Sequence, residues 1–510
     1  MTNIGGSIGK TVSLRASAVL VSLVYCAGLV YYAQVRPIEA DEGYYTSAAR
    51  LVWEGRIPYR DFSYPQGILI PYIYGWVCAI QPHSVVAMRL LSAAFGGMAV
   101  LLWGICLLSV KRLPTPVTLA TIALILLNPY WVSWNVVVKT FASANLLTSI
   151  AMIALYCALR SERRKWYFIA GLALGACAST RSLYAPLVPV VLLWLLRREW
   201  RTSAWPVPKA LTFLAGATCG VLPMILSFSA DPRAFLFNNF HYRPLLNPYV
   251  SIRYVIHGDL DTLLVLSQHA YLVVVALLAV IGGVSLWKLR RKLEAPYDHQ
   301  DYEYFELAFL MLLAYMVTSW IPYPVYDQYF TSPLIPFLVA FLAEGFRVMW
   351  RFGAKTFVLL AVLAPILFFQ GLRLEVQEYS QMPSMQLASY RRVAQVIEDN
   401  SSSTDVVLSI WPGYVFESGR RYFPGSENHF NYMVGYKLTP QERARYHVLS
   451  KEEVTNAIAT RAVEMFVSAW SGYHLESTMT PDERQALRTA LKTNYLSVGS
   501  IDHVEVYRRR

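Results

Sequence analysis

Charge is what this sequence has least of. Asp, Glu, Lys and Arg make up 15% of its 510 residues, where a soluble protein carries roughly a quarter. The shortage is uneven. Apolar runs fill residues 16–372, while residues 373–510 have ordinary soluble composition, so a single soluble domain is excluded. Cysteine is scarce as well. All six (Cys26, Cys78, Cys106, Cys157, Cys177 and Cys219) fall in the apolar region. With no CxxC spacing among them, nothing points to a zinc site or redox pair, and the C-terminal region folds without disulfides. GxGxxG and P-loop motifs are absent, so nothing signals nucleotide binding. Internal repeats are absent too. The net charge of +12 comes from short basic clusters between apolar runs, not from one basic face, which excludes a nucleic-acid partner.

What is present is a series of membrane spans. The chain is 55% hydrophobic with a mean hydropathy of +0.36, and a bilayer core takes about 20 apolar residues as helix. Eleven spans are expected: 16–34, 85–110, 116–133, 141–159, 166–180, 183–196, 210–228, 263–286, 304–321, 329–346 and 357–372. The fifth and sixth are short and meet at Thr180-Arg181-Ser182. With Lys10 and Arg15 in the cytosol, every second loop is basic: Lys111-Arg112, Arg160 to Lys165, Arg197 to Lys209, Lys288 to Lys292, and Arg347 to Lys355. Eleven crossings then put residues 373–510 outside. The first span reads as an uncleaved anchor, because it is long for a signal peptide and no cleavage site follows.

The expected fold is a polytopic α-helical membrane protein over 1–372 with a small extracytoplasmic α/β domain over 373–510. In that domain helices are expected at 386–399 and 481–492, and strands at 405–410, 463–469, 495–498 and 503–507. Two outer loops are long, 35–84 and 229–262. In the first, Tyr45, Ala48, Ala49, Val52 and Trp53 recur at helical spacing, which predicts an amphipathic interfacial helix over 42–54. The proline-bounded apolar stretch 65–82 predicts a second interfacial segment.

The chemistry concentrates just after the first span, in Glu39-Ala40-Asp41-Glu42-Gly43-Tyr44-Tyr45. Carboxylates suit a helix N-terminus on their own account. The continuation, however, interleaves acids, bases and aromatics on one outer face: Gly55-Arg56-Ile57-Pro58-Tyr59-Arg60-Asp61, then Tyr64-Pro65-Gln66-Gly67. That mixture suits a sugar phosphate, with rings stacking on sugars and arginine pairing with phosphate. Tyr44, Tyr45, Arg60, Asp61 and Tyr64 are therefore candidate substrate contacts. Arg89, Lys139, Arg181 and Arg243 are candidate phosphate contacts, because a charge at membrane depth is costly without a task. Snorkelling to headgroups is the plainer explanation of such charges. The stretch Phe237-Asn238-Asn239-Phe240-His241-Tyr242-Arg243 offers His241 and Arg243 to an acceptor, or forms an ordinary aromatic belt.

The pattern Asp-Glu-Gly-x-Tyr, Gly-Arg-x-Pro-Tyr-Arg-Asp and Tyr-Pro-Gln-Gly resembles the first outer loop of the GT-C glycosyltransferases. Within these it is similar to the group holding protein O-mannosyltransferases and the bacterial aminoarabinose transferases for lipid A. The resemblance implies transfer of a sugar from a polyprenyl-phosphate carrier to an acceptor on the outer face, with inversion in one displacement. It implies that an acidic residue at the start of this loop acts as general base or positions the acceptor. Asp41 stands at that place, with Glu42 beside it. The stretch Tyr323-Pro324-Val325-Tyr326-Asp327-Gln328-Tyr329-Phe330 resembles a late loop in which a basic residue or His meets the donor phosphate. Gln328 stands there instead, a departure that offers only a neutral donor, and Tyr326 and Tyr329 are expected to share the task. For the aminoarabinose transferases the resemblance also implies a divalent metal near the first-loop carboxylate, although the sequence shows no ligand cluster.

The expected activity is thus that of an inverting glycosyltransferase of a bacterial inner membrane, its site on the periplasmic side. The expected partners are a polyprenyl-phosphate-linked sugar, a lipid or cell-envelope glycan acceptor, and membrane lipids. The alternatives are a protein acceptor, or a lipid-linked sugar transporter or flippase. A transporter would show paired half-helices and mid-span charges, and few of the latter occur.

Overall fold

The computed structural model describes residues 25–202, 208–246, 251–290, 296–320, 327–353, 373, 383–469 and 475–510. Its long helices end where backbone chemistry ends them. The apolar run expected at 116–133 divides into Thr115–Leu126 and Pro129–Trp134. Asn128 causes the break by accepting from the N–H groups of Tyr130 and Trp131, and Pro129 supplies a first residue with no N–H to satisfy. The run expected at 263–286 is likewise two helices, Ile252–Ser267 and Ala270–Arg290, broken at Gln268-His269.

Among the described residues, five helices are long and apolar enough to cross a membrane: Val85–Val110, Thr140–Ser161, Pro208–Ala230, Tyr271–Lys288 and Ser332–Phe352. The remaining expected spans differ for identifiable reasons. Arg164–Thr180 and Leu187–Thr202 are short, with 17 and 16 residues. Pro296–Trp320 has the length but begins with Asp301, Glu303 and Glu306. The first span is described only from Tyr25 onward, and the eleventh lies outside the described residues, as do Tyr326 and most of the expected domain boundary.

Arg164–Thr180 and Pro208–Ala230 lie backbone to backbone. Gly171 and Gly175 face Gly216 and Gly220, and a Cβ on any of the four would strike the partner's main chain. Small residues four apart permit this approach between membrane helices.

The first long loop, 35–84, forms two helices. Leu69–Ile80 exposes Tyr72, Trp76 and Ile80 on one face, at four-residue spacing, which suits an interface. Glu42–Trp53 differs from its expected interfacial setting, because every residue from Glu42 to Leu51 is buried. Protein covers it. Arg50 donates to the carbonyls of Arg420 (2.8 Å), Gly419 (3.2 Å) and Val415 (3.3 Å). Trp411 Nε1 donates to Ala40 O at 2.7 Å, and its ring lies against Gly43.

The covering element is the C-terminal α/β domain. Its strands β1 (Val406–Ser409), β2 (Arg421–Tyr422), β3 (Met465–Val467), β4 (Tyr495–Ile501) and β5 (Val504–Arg509) form one sheet in the order β2-β1-β3-β5-β4. β1 pairs parallel with β2 and β3, and β5 pairs antiparallel with β3 and β4. Leu387–Asp399 and Pro481–Asn494 are helices, close to expectation. The loop 423–430 after β2 reaches the first long loop and the Tyr242–Leu246 helix, where Asn428 bonds Tyr242 and His429 faces Asp41.

Candidate active site

Asp41 is the N-cap of Glu42–Trp53, and its carboxylate keeps 24% exposure. Its Oδ2 lies 2.7 Å from Nζ of Lys139, which also reaches Glu39 Oε1 at 2.9 Å and Gln328 Oε1 at 3.3 Å. Lys139 sits just before Thr140–Ser161, so a long helix delivers this cation to the loop. From the other side, Nε2 of His429 comes within 3.9 Å of Asp41 Oδ1. Burial alone would raise the Asp41 pKa, but Lys139 and then His429 outweigh it and hold the carboxyl below its ordinary value. Lys139 is the converse: burial would discharge it, yet Asp41 and Glu39 keep its pKa well above the ordinary range. Burial pushes Glu39 up to about 7, with Lys139 pulling against it and Asp41 adding to it. Asp41 is therefore the ionised, partly open member of this triad.

Glu42, its neighbour, is sealed. Arg89 approaches with Nη2 at 2.5 Å and Nε at 2.8 Å, and the N–H groups of Val138 and Glu39 each donate at 2.9 Å. Arg89 also donates to the carbonyls of Arg36 and Pro37, and both members of the pair are buried. This geometry separates the two carboxylates expected to act together. Glu42 and Arg89 fasten the loop to the Val85–Ile105 helix, and Asp41 alone presents an oxygen.

A second group of cations lies alongside. Arg181 follows Arg164–Thr180, donates to Thr140 Oγ1 at 2.9 Å, and stacks 4.7 Å from the Phe141 ring and 4.5 Å from the Tyr329 ring. Arg243 is exposed and hydrogen-bonds Tyr329, and its charge is felt at Asp41. Lys139, Arg181, Gln328, Tyr329 and Arg243 are thus drawn together around Asp41, and Tyr45 joins them.

Tyr44 and Tyr64 stack with ring centroids 5.0 Å apart. The Tyr44 ring also meets His429 at 6.4 Å, and His429 lies 4.1 Å from Phe430. The Tyr44 and Tyr64 hydroxyls are buried with no hydrogen-bond partner among the described residues. Arg60 and Asp61 are engaged elsewhere: they pair with each other at 2.8 Å, and the Arg60 carbonyl accepts from His447 Nε2. His241 is exposed.

The residues that sequence reasoning missed are Glu39 and His429. Glu39 was in plain view, two positions before Asp41. His429 carries no spacing signal; it is placed by Asn428, whose Nδ2 donates to Tyr242 Oη at 3.2 Å while Tyr242 donates to Asn431.

The implied divalent metal does not fit this donor set. Among the described residues no group of three or more His, Cys, Asp or Glu side chains is placed to hold a metal ion. Asp41 Oδ2 already faces the Lys139 ammonium, and Oδ1 faces His429.

The family model for dolichyl-phosphate-mannose-protein mannosyltransferases matches residues 65–226, a stretch that starts after Asp41. No curated protein matches the sequence. Among solved structures, ArnT from Cupriavidus metallidurans bound to undecaprenyl phosphate is similar, with a TM-score of 0.64 at 14% identity, covering 96% of this chain and 98% of that one. The same protein in its apo state gives 0.62 at 15% identity, over 99% and 98%. An oligosaccharyltransferase of Archaeoglobus fulgidus, in complex with zinc and sulfate, gives 0.54 at 13% identity, over 96% and 73%.

Proposed function

We propose, from the premise that this chain is a membrane protein with the GT-C glycosyltransferase fold, that it transfers a sugar from a polyprenyl-phosphate carrier to an acceptor hydroxyl, with Asp41 as the base. The observation that carries this reading is the Asp41 carboxylate held ionised and part-open beside a bank of cations. Sugar transfer passes through an oxocarbenium-like state. The acceptor oxygen loses its proton as it attacks, and a carboxylate in reach takes it. The leaving lipid phosphate gains charge, which Arg181 and Arg243 would meet, with the Tyr329 hydroxyl between them. Attack from the Asp41 side and departure toward the arginines gives a single inverting displacement. The stacked Tyr44 and Tyr64 rings offer faces to a sugar and two buried hydroxyls that need partners.

A lipid or cell-envelope glycan is the acceptor favoured here, because the sequence carries no sugar-binding repeat inserted between its spans. A protein acceptor is the second reading, favoured by the mannosyltransferase match over 65–226. The sidedness proposed is the periplasmic face of a bacterial inner membrane. Every long helix that starts or ends near Asp41 carries its basic cluster at the other end, at Lys111-Arg112, Arg160 and Arg347 among them.

The test is transfer of radiolabelled sugar from polyprenyl-phosphate donors to envelope lipid extract or to protein, by wild type and Asp41→Asn. The variant should bind donor yet transfer about 10²–10⁴ times more slowly, the usual reach of a general base. Equal transfer by the two would remove Asp41 from the mechanism.

A further inference from the structure

The transfer chemistry leaves Glu39 without a task, yet two hydrogen bonds tie it to the Asp41 cluster. Its Oε2 accepts from the Asp41 backbone N–H at 2.9 Å, and its Oε1 accepts from Lys139 Nζ at 2.9 Å. The same ammonium lies 2.7 Å from Asp41 Oδ2 and 3.3 Å from Gln328 Oε1. A lysine carries three N–H donors, and these three oxygens match them. Asp41 Oδ2, Lys139 Nζ and Glu39 Oε1 therefore form a continuous line of hydrogen bonds.

The two ends of that line differ in their surroundings. The Asp41 side chain is 24% exposed, and besides Lys139 it faces His429 and the charge of Arg243. The Glu39 side chain is 12% exposed, and besides Lys139 the carboxylates of Asp41 and Glu42 act on it. Glu42 itself accepts from Glu39 N at 2.9 Å, and its charge is met by Arg89 with Arg36 beyond. Cations thus crowd one carboxylate, while acids crowd the other. A proton is held more tightly where burial and like charge oppose ionisation, so between the two it favours Glu39. The pKa directions agree, since Asp41 lies below its ordinary value and burial pushes Glu39 up to about 7. A carboxylate held low is a weak base for an acceptor hydroxyl, and a partner that keeps the proton better would improve it.

We propose, resting on the reading of Asp41 as the base, that Asp41 passes the acceptor's proton through Lys139 to Glu39. The step balances. The acceptor O–H breaks as its oxygen bonds the sugar carbon, and the sugar–phosphate C–O bond leaves its electron pair on the lipid phosphate. The Asp41 carboxylate takes the proton. That carboxyl proton then moves to Lys139 Nζ while another Nζ proton moves to Glu39 Oε1. Lys139 is an ammonium before and after, Asp41 is a carboxylate again, and Glu39 ends as the neutral acid. Glu39 touches no substrate in this scheme and acts through Lys139.

The experiment is a pH–rate profile of transfer by the full-length chain in detergent, with kcat and donor KM read separately. Glu39 must be ionised to receive the proton. The wild-type rate should therefore rise a second time as pH climbs through about 7, above the limb that Asp41 sets. Glu39→Gln copies the shape of the neutral acid and should lack that rise. At pH 8 its kcat should fall about tenfold with donor KM little changed, and the gap should narrow as pH drops below 6. Lys139→Arg keeps a cation between the carboxylates but does not give up a proton, so it should lose the same rise even if Glu39→Gln does not fold. Infrared spectra give a reading apart from activity. The difference between wild type and Glu39→Gln should contain a carboxyl that ionises near pH 7.

A role confined to holding Lys139 and the Asp41 N–H in place would lower the rate by one factor at every pH. That result, a second rise that survives in Lys139→Arg, or an infrared difference with no such carboxyl would each overturn the relay. If these occur while Asp41→Asn remains slow, the relay falls and the base stands. If Asp41→Asn transfers as fast as wild type, both fall together.

Discussion

Glu42 accepts from Arg89 and two backbone N–H groups and is closed to solvent, whereas Asp41, the preceding residue, keeps an open face between Lys139 and His429. One residue of chain separates a carboxylate saturated with donors from one with an oxygen to spare. The difference comes from what each neighbour can move. Arg89 is locked by the carbonyls of Arg36 and Pro37, so its pair with Glu42 is a fixed post. Lys139 is shared among Glu39, Asp41 and Gln328, so its charge can follow whichever partner is charged at the time. The two ion pairs are told apart here by how many carboxylates share the cation, one at Arg89 and two at Lys139.

That contrast can be broken most forcefully at Arg89. Arg89→Met should destabilise the protein by about 3–5 kcal/mol, since it strands a buried carboxylate. The thermal unfolding of purified protein would show it, and adding Glu42→Gln should recover part of the loss. Lys139→Met attacks the other side. It should leave folding less affected and move the acid limb of the pH–rate profile upward, because Asp41 must be ionised to accept a proton and Lys139 is what most opposes burial there. An unmoved limb would show that another group governs it. His429→Gln should cost transfer on the order of tenfold, with donor affinity nearly unchanged, since His429 faces Asp41 and not the arginines. A loss confined to donor affinity would place His429 on the phosphate side instead.

The smallest expected effect lies in the same loop, at Glu427. This carboxyl is buried, its Oε2 has no hydrogen-bond partner among the described residues, and burial pushes its pKa up to about 7. A carboxyl raised in the folded state adds stability below its unfolded pKa, near 4.5, and loses it as pH rises through 7. Glu427→Gln should therefore unfold a few degrees higher than wild type at pH 8, at roughly 2–4 °C per kcal/mol, and match it at pH 4. Equal melting at both values would mean that the carboxyl is solvated.

The membrane class and the sheet of the C-terminal domain were legible because each rests on local pattern. Runs of apolar residues mark helices, and Val406–Ser409 and Val504–Arg509 alternate or cluster as strands do. The two-residue strand Arg421–Tyr422 was not legible, being too short to carry a period. Among site residues, Asp41 stood out by its motif, and Lys139 and Arg181 by the cost of charge at membrane depth. The division of labour between Asp41 and Glu42 was hidden, because it depends on Arg89, 47 positions away. His429 was hidden more deeply. Its link to Asp41 runs through the docking of one domain on another, which no spacing in the sequence encodes.

That docking has a consequence in time as well as in space. Trp411 holds Ala40 from a point 371 residues further along the chain, and His429 comes later still. A ribosome that has made Glu42, Arg89 and Lys139 has produced the post and the shared cation, but Asp41 still lacks one wall. The growing chain is therefore chemically unfinished until Trp411 and His429 have been made and docked.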